Sequence, residues 1–481
     1  MPPQLALLLC AGVVYFLLRL EQKQSKGVSR DLWVPTIWML IAASRPVASW
    51  FSGSDEDSGS MWNQITLLPM LLYGLWLLSR RRVNWSNVIR ENLWLSLILI
   101  YMLVSLAWSD MPDTALKRWI REFEALVMGL MVCTDPKPRL AIESVLRRTI
   151  YVLLPLSITL IKYYPAIGVM FGRWSGGQMW VGVTLQKNGL GRLCFVAIFF
   201  MLWTLVRRWQ GKDKPVMKRQ IYIELALLAL AVMLFKGPTL QAYSATSLVA
   251  LIVGLIAWGG LWFVNKFRKY SFRFGVLALL CLVLANGIST PWRKGKTVVA
   301  EGDTAGATGA LGRDSSFTGR SEIWASLLPD VKRSPLLGAG FGSFWTPAAK
   351  ISHDIGEAHN GYLDVTLDLG FAGLFLVVMF FLSSCKKALD AISIDPGWAS
   401  LVACYVVMTA MHNTAESSIN SFTTHLSTLL VFLTVTFRPA LERRPKEQTK
   451  GAESNQPAGA TPQGYGTRPS PGAATPGACP S

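Results

Sequence analysis

The sequence is poor in charged residues for its length. Only 16% of the 481 residues are Asp, Glu, Lys or Arg, whereas 51% are hydrophobic. A soluble domain has about a quarter charged residues. These proportions exclude an ordinary soluble globular protein, because the excess of apolar surface needs a bilayer to cover it.

Cysteine and histidine are also scarce, with seven and four residues respectively. The cysteines are odd in number and have no C-x-x-C spacing, so neither a disulfide framework nor a zinc site is predicted. With so few histidines, each one that lies at the end of an apolar run is a candidate for proton-transfer chemistry.

The long apolar runs predict membrane-spanning helices, because about 20 apolar residues of helix cross the hydrocarbon core. The predicted fold class is an all-α integral membrane protein, a polytopic bundle of about 12–13 transmembrane helices. The first run lacks an A-x-A-like cleavage site and its apolar part ends at Arg19, which predicts a retained helix. The candidate helices are 3–20, 33–51, 61–79, 92–109, 120–134, 149–168, 190–206, 221–235, 244–265, 274–290, 360–383, 398–415 and 424–437.

The loops alternate between many cations and few. Six lysines and arginines lie between Arg207 and Arg219, for example, while the loop SGSDEDSGS has none. The positive-inside rule then places the N-terminus outside, the C-terminus inside and residues 291–359 on the outer face. The net charge of +18 is therefore interpreted mainly as a topology signal. Because the cations are spread over many short loops, nucleic acid is not a predicted partner.

The chain divides into four predicted regions. Residues 1–290 are the N-terminal transmembrane helices, 291–359 a large outer loop, 360–437 the C-terminal transmembrane helices with the His359 motif at their start, and 438–481 a disordered inner tail. Within the loop, 291–319 is rich in small residues and is predicted to be mobile, with a lid as its expected role. Residues 318–335 have the pattern of an amphipathic helix, predicted to lie on the outer membrane surface.

His359 is the candidate catalytic residue. Asn360, Asp364 and Asp368 follow it at a spacing that aligns them on one face of the eleventh predicted helix. Carboxylates are costly against lipid, so this face is predicted to border a polar site, with mutual hydrogen bonding as the structural alternative. The two aspartates at i, i+4 also allow a divalent-cation site. His353 and His425 are interpreted as interfacial residues without a catalytic role.

A second candidate group is cationic and lies at predicted outer helix ends. Arg320 opens the amphipathic helix, where its charge adds to the partial positive charge of the helix N-terminus and favours an anion such as phosphate. The alternative is that these cations contact lipid headgroups. Further polar candidates lie in QKNG with Arg192, at the end of the eighth predicted helix and after the twelfth: Lys187, Asn188, Lys236, Asn413 and Glu416.

Several ordered motifs resemble the O-antigen ligase and polysaccharide polymerase superfamily. The shared C-terminal motifs are GRSEIW (319–324), SPLLGAGFGSFW (334–345), AHNGYLDVTLDLGFAGL (358–374) and NTAESS (413–418). Upstream, WSDMPDTALKRW (108–119), QKNGLG (186–191) and YSATSLVAL (243–251) are more similar to the exopolysaccharide polymerase branch than to the lipopolysaccharide ligases. The resemblance covers residues 30 to 437.

The resemblance implies an inverting, metal-independent glycosyltransferase of the GT-C type in the bacterial inner membrane, with its active site facing the periplasm and without a cofactor. The donor would be an undecaprenyl-pyrophosphate-linked oligosaccharide. The family's essential loop histidine matches His359, and an essential arginine matches Arg320. A second family arginine is replaced by Ser244-Ala245 here, so Lys187 or Lys236 is the expected second pyrophosphate-binding cation.

The predicted function is transfer of this oligosaccharide to a sugar hydroxyl, polymerising a surface polysaccharide or exopolysaccharide. His359 would be the base, with Asn360 and Asp364 in support, while Trp324, Phe341, Phe344 and Trp345 would offer apolar faces to sugars or prenyl chain. The alternatives are an O-antigen ligase that joins glycan to lipid A core, a polysaccharide or lipid transporter, and a scaffold of an export complex. Expected partners are the lipid-linked donor, a glycan acceptor, membrane lipids and other polysaccharide assembly proteins.

Overall fold

The structure is a computed structural model of the whole chain. It describes residues 1–51, 61–81, 83–172, 176–211, 218–239, 242–267, 272–296 and 319–442. The predicted lid falls largely on residues 297–318, and the tail beyond 442 falls on 443–481; both lie outside the described residues.

Helices make up almost all of the regular structure in these ranges. Most begin where apolar runs follow a proline or a polar capping residue, as in the helix that starts at Pro396 after the side chain of Asp395 accepts the backbone N–H of Trp398. The helices are α1 (Pro3–Gln24), α2 (Trp33–Ala42), α3 (Val47–Phe51), α4 (Met61–Arg80), α5 (Trp85–Glu91), α6 (Leu93–Val104), α7 (Pro112–Cys133), α8 (Pro138–Tyr163), α9 (Pro165–Gly168), α10 (Lys187–Trp209), α11 (Lys218–Lys236), α12 (Ala245–Phe267), α13 (Phe272–Lys296), α14 (Arg320–Arg333), α15 (Pro347–His353), α16 (Gly361–Asp390), α17 (Pro396–His412) and α18 (His425–Glu442).

The protein is an all-α polytopic membrane protein, as predicted. Every predicted membrane segment has a helix counterpart, and within the described residues seven helices are long and apolar enough to span a bilayer, namely α1, α4, α8, α10, α12, α13 and α16. An eighth span results if α5 and the α6 segment, bent by 92° against each other, are counted together. The prediction of about 12–13 spans exceeds this number. One reason is length, since α17 has only 17 residues.

Two short strands form a feature that the sequence pattern does not predict. β1 (Val169–Phe171) pairs antiparallel with β2 (Gln178–Trp180) in the segment between α9 and α10. Arg45 fastens the end of α2 to the same segment, because its Nη2 donates to the carbonyl oxygens of Ile167 and Thr184 at 2.9 and 3.0 Å. The chain that leads into α10 is thereby fixed beside α2.

Several cations that the sequence analysis treats as topology signals are buried in ion pairs. Arg148 Nε lies 2.7 Å from Glu21 Oε2, and this glutamate has 0% exposure. Arg207 Nη1 lies 3.0 Å from Glu143 Oε1. The charges of α8 and α10 therefore hold helices together as well as marking one side of the membrane, because a buried charge needs a partner.

Helix α14 is the amphipathic helix of the sequence analysis, but its apolar face packs on protein. Trp324 and Leu327 have 0% exposure and cluster with Trp345 and Leu363. The indole N–H of Trp324 donates to the carbonyl oxygen of Ala358 at 2.9 Å. The apolar face is therefore not free to contact lipid, because α16 and the chain before it cover it, and the position of this helix at the outer membrane surface stays a prediction.

Helix α16 is broken at Gly370, whose φ of 64° and ψ of −169° are nonhelical. The segment 335–339 fills the break: the backbone N–H groups of Phe371 and Ala372 donate to the carbonyl oxygens of Pro335 and Leu336 at 2.8 and 3.2 Å. The backbone groups released by the break are thereby satisfied, as a low-dielectric environment requires.

The boundaries of the predicted outer loop shift slightly in the structure. Helix α13 continues to Lys296, past the predicted start of the loop at 291, and α16 begins at Gly361. Helix α18 continues to Glu442, past the predicted start of the tail at 438. These two helices continue past the ends of their apolar runs because polar residues are also compatible with a helix.

Candidate functional site

His359 occupies a left-handed backbone conformation immediately before α16. Its φ of 51° is uncommon for a residue other than glycine and persists only where neighbours enforce it. On one side, the backbone N–H of Ala358 donates to both carboxylate oxygens of Asp364 at 3.2 Å. On the other, Asn360 caps α16 by accepting the N–H of Leu363 at 2.9 Å. The polar residues around His359 thus fix its backbone.

The polar face predicted from Asn360, Asp364 and Asp368 makes hydrogen bonds within the protein. The side-chain nitrogen of Asn360 donates to the carbonyl oxygens of Gly287 and Thr414, each at 3.0 Å. Asp364 also accepts the indole N–H of Trp345 at 2.8 Å, and Asp368 accepts the backbone N–H of Phe344 at 3.1 Å. These side chains are 0 to 5% exposed. They organise the chain that carries His359 rather than facing an open site.

Asn413 has a similar supporting role at the end of α17. Its Oδ1 accepts the backbone N–H groups of Ser418 and Ile419 at 3.0 and 2.9 Å. Its own carbonyl oxygen accepts the N–H of Gly361 at 3.0 Å. A Cβ at Gly361 would overlap the Asn413 side chain, which explains the glycine that follows the His-Asn pair. Asn413 therefore fixes the turn after α17 against the start of α16.

Two glutamates face the imidazole. His359 Nδ1 lies 3.0 Å from Glu357 Oε1 and 4.0 Å from Glu416 Oε2. The first contact is an ion pair rather than an aligned hydrogen bond, since Nδ1 has no partner of good hydrogen-bond geometry. Burial alone would lower the pKa of His359, but the Glu357 contact and the charges of both glutamates outweigh it and raise that pKa above 6.5. The imidazole side chain keeps 29% exposure, so it is accessible to a ligand.

Glu416 joins the histidine to the predicted cationic group. Arg320 Nη2 donates to Glu416 Oε1 at 2.6 Å, and Asn188 Nδ2 donates to the same oxygen at 2.6 Å. Burial raises the pKa of Glu416 despite the opposing charge of Arg320. The structure therefore brings His359, Arg320, Asn188 and Glu416, which are far apart in sequence, into one cluster where the starts of α10, α14 and α16 meet the end of α17.

A polar cavity of about 170 Å³ opens beside this cluster. Its wall includes the end of α2, the segment 184–189, Arg192, Glu357, Glu416 with Ser417, and His425. The Nε of Arg192 is buried and has no hydrogen-bond partner among the described residues. This guanidinium carries fixed positive charge to the cavity wall.

The two lysines predicted to bind pyrophosphate are placed differently from each other. Lys187 is the first residue of α10 and is partly buried, one position before Asn188. Lys236 is exposed at the end of α11. Arg192, on the first turns of α10, is the described cation that reaches the cavity. Arg192 lies one helical turn after Asn188, so both side chains reach the cavity from the same face of α10.

Glu357, His359 and Glu416 are also close enough to coordinate a cation, because one ligand atom from each lies within 4.8 Å of the others. This set differs from the aspartate pair of the sequence analysis, whose oxygens accept hydrogen bonds from the backbone. Arg320 and Asn188 already donate to Glu416 at 2.6 Å, and the arginine charge opposes a second cation there.

The predicted aromatic contacts are mostly unavailable to a ligand. Trp324, Phe341 and Trp345 are 0 to 9% exposed and belong to the protein core. Phe344 is half-buried and stacks edge-on against Trp345 with 5.0 Å between ring centroids. Three of these four aromatic residues therefore pack within the protein, which contradicts their predicted role as apolar faces for sugars or prenyl chain.

Glu357 and His425 have no site role in the sequence analysis, and Arg192 is named there with QKNG but not as the second cation. Glu357 precedes His359 by two residues, so its proximity was available from the sequence alone. Arg192 lies four residues after Asn188 and shares its helix face, which was a weaker signal. His425 was interpreted as an interfacial residue, and only the fold places it on the cavity wall.

Comparisons with known proteins show what the chain is similar to. Residues 239–378 match the family model described as O-antigen ligase. The chain is 22% identical over 341 residues to the exopolysaccharide production protein ExoQ of Rhizobium meliloti (strain 1021), covering 66% of this chain and 70% of that protein. The family match contains Arg320 and His359, and the relative extends the similarity beyond it. These two matches make the chain similar to the O-antigen ligase and polysaccharide polymerase superfamily, and they support the resemblance seen in its motifs.

Proposed function

We propose that the protein polymerises a surface polysaccharide or exopolysaccharide by transferring a lipid-diphosphate-linked oligosaccharide onto a sugar hydroxyl at the periplasmic face of the bacterial inner membrane. The observation that carries the proposal is the contact of 3.0 Å between His359 Nδ1 and Glu357 Oε1 beside the Arg320–Glu416 pair. It places a base and a cation in one polar cluster. Similarity to an exopolysaccharide production protein supports a role in polysaccharide assembly.

The histidine has the geometry of an oriented base. A proton on Nδ1 is held toward Glu357, which leaves Nε2 with a free lone pair. Nε2 takes the proton of the acceptor hydroxyl as its oxygen attacks the anomeric carbon of the donor. The bond from that carbon to the diphosphate breaks in the same step, and the lipid diphosphate leaves with the electron pair. One displacement of this kind inverts the anomeric centre.

The leaving diphosphate needs fixed positive charge. Arg320 uses one nitrogen on Glu416, and a guanidinium has five N–H donors, so others remain for phosphate oxygens. The N-terminus of α14, where Arg320 is the first residue, adds partial positive charge. Arg192 supplies a second cation in place of the missing family arginine, with Lys187 at the start of the same helix. Because arginines perform this role, the proposed reaction is metal-independent.

Deletion of the gene, followed by size analysis of surface glycans, tests the proposal. Long polymer should disappear and short lipid-linked units should accumulate. A His359→Ala copy should fail to restore polymer, with activity reduced about 10²–10⁴-fold, although the protein is present in membranes at the normal level. His353→Gln, on α15, should restore it. EDTA should not reduce the activity of purified enzyme.

Four results would contradict the proposal. Intact long polymer retained on its lipid carrier would indicate a ligase. Loss of polymer without accumulation of lipid-linked units outside the membrane would indicate a transporter. Full complementation by the His359→Ala variant would show that His359 is not the base. Activity that is lost to EDTA and restored by Mg²⁺ would indicate that Glu357, His359 and Glu416 bind a metal.

A further inference from the structure

His425 is a buried polar side chain without a partner. It is 3% exposed, and both of its ring nitrogens lack a hydrogen bond among the described residues. It begins α18 and its side chain forms part of the wall of the cavity of about 170 Å³. Buried polar groups in proteins are almost always hydrogen-bonded, so an unpartnered one on a cavity wall indicates a ligand that completes it.

The chemistry of the wall suits a sugar. A neutral imidazole offers one donor and one acceptor, which matches a hydroxyl that both donates and accepts. Glu357 and Glu416 add acceptors, while Gln186 and Asn188 add amide groups. The two carboxylates accept hydrogen bonds from hydroxyl groups, and Arg192 on the same wall donates to the diphosphate that joins the sugar. A protein cavity of about 150 Å³ can bind benzene, so a volume of about 170 Å³ has room for one six-membered ring.

The position of the cavity indicates that it binds the donor and not the acceptor. Glu416 Oε1 accepts from Arg320 on one side and from Asn188, which lines the cavity, on the other. A ligand whose phosphate reaches Arg320 therefore has its next group beside the cavity. In a lipid-diphosphate-linked glycan, that group is the first sugar.

We propose that this cavity is the subsite for the donor's first sugar, the one bonded to diphosphate, and that His425 recognises its hydroxyl groups. The inference rests on the proposed function and deepens it by assigning the part of the donor that the enzyme recognises. His425 contributes to specificity and binding, whereas His359 contributes to the chemical step.

Equilibrium binding to purified full-length protein tests the subsite in a His359→Ala background, where no turnover occurs. The ligands are undecaprenyl diphosphate, the lipid-linked oligosaccharide extracted from the deletion strain, and the free oligosaccharide released from it. The oligosaccharide should strengthen binding at least about tenfold over the bare diphosphate. His425→Phe should remove most of this gain and leave the affinity for undecaprenyl diphosphate within about twofold.

Two further variants separate recognition from folding. Ala42→Leu narrows the cavity from α2 without removing a polar group, and it should reduce the sugar's contribution in the same way. His412→Gln is the matched control, since His412 is equally buried and unpartnered but packs on Phe195 with 5.8 Å between ring centroids. It should leave both affinities unchanged.

The outcomes distinguish this inference from the proposed function. If His425→Phe weakens both ligands equally, or neither, the subsite is wrong while the proposed function stands. If it weakens only free oligosaccharide lacking the lipid diphosphate, the cavity binds the acceptor and the assignment to the donor is overturned. If undecaprenyl diphosphate does not bind at all, or no lipid-linked unit accumulates in the deletion strain, the proposed function fails first.

Discussion

His359 shows how one residue receives its properties from its neighbours. The chain holds it at a φ of 51°, and Asp364 and Asn360 fix the backbone on either side. Glu357 then orients the ring from 3.0 Å. A histidine in flexible chain would lose these constraints, and with them the orientation that makes it a useful base.

The pH dependence of activity should report the Glu357 contact. The pKa of His359 is raised above 6.5, so at neutral pH a larger part of the imidazole is protonated and unable to accept a proton. Activity should therefore rise with pH through a midpoint above 6.5. Glu357→Gln removes the main group that raises this pKa, so the rising limb should move to lower pH. Initial rates of polymer formation across pH give the measurement.

A matched variant controls for general loss of negative charge in this loop. Asp354 is exposed and Asp354→Asn keeps a residue that tolerates the left-handed φ of 53° found there. This change should leave the rising limb in place. A limb that stays unchanged in Glu357→Gln, or moves to higher pH, would exclude Glu357 as the group that sets the pKa of His359.

At the scale of elements, the site depends on the break in α16. The segment before Gly370 carries the residues that fix His359, and the segment after it continues as an apolar span. The inserted chain 335–339 reaches both parts, since the N–H of Ala339 also donates to the carbonyl oxygen of Leu367 at 2.9 Å. The break therefore separates the part of α16 that supports the site from the apolar part that follows.

Gly370→Ala should strongly destabilise the protein. The φ of 64° and ψ of −169° belong to a region that only glycine adopts readily, and a Cβ would overlap the carbonyl group of Leu336. The expected loss is at least about 2 kcal/mol of folding free energy. Thermal unfolding of the purified protein in detergent measures it. Gly275→Ala, where a Cβ meets nothing within 4 Å, should cause no loss; equal stability of the two variants would refute the strained break.

At the scale of the whole molecule, distant segments converge at one end of the helix bundle. Asn188 and Arg192 come from α10, Arg320 from α14, and Glu416 from the chain between α17 and α18. Buried ion pairs such as Arg148–Glu21 join helices elsewhere in the bundle. The proposed reaction needs the site end to face the periplasm, as the loop charges predict.

Cysteine labelling of intact cells tests this orientation. Lys350 on α15 and Lys23 on α1 are both exposed. In a background with Cys281 and Cys479 replaced by Ala, a membrane-impermeant maleimide should modify Lys350→Cys from outside and Lys23→Cys only after the cells are permeabilised. The reverse pattern would place the site in the cytoplasm and exclude a periplasmic reaction.

Local sequence signals suffice to predict the membrane class and the helix positions, and they point to two residues of the candidate site, Arg320 and His359. Apolar runs and loop charges are local signals, and the motifs around Arg320 and His359 are contiguous. The sequence also predicts that Asp364 and Asp368 face polar groups rather than lipid, since a carboxylate beside lipid is costly. Their actual partners, the backbone groups of Ala358 and Phe344, depend on how the preceding chain folds back.

Which of the site residues contact one another is seen only in the tertiary structure. Arg320 and Glu416 are 96 positions apart, and Asn188 and Glu416 are 228 apart. No helical period relates such positions, because contacts between helices depend on packing of the whole bundle. The same reason explains why α14 faces protein instead of lipid, why His425 lies on a cavity wall, and why a sequence that reads as continuous helix at Gly370 is broken there.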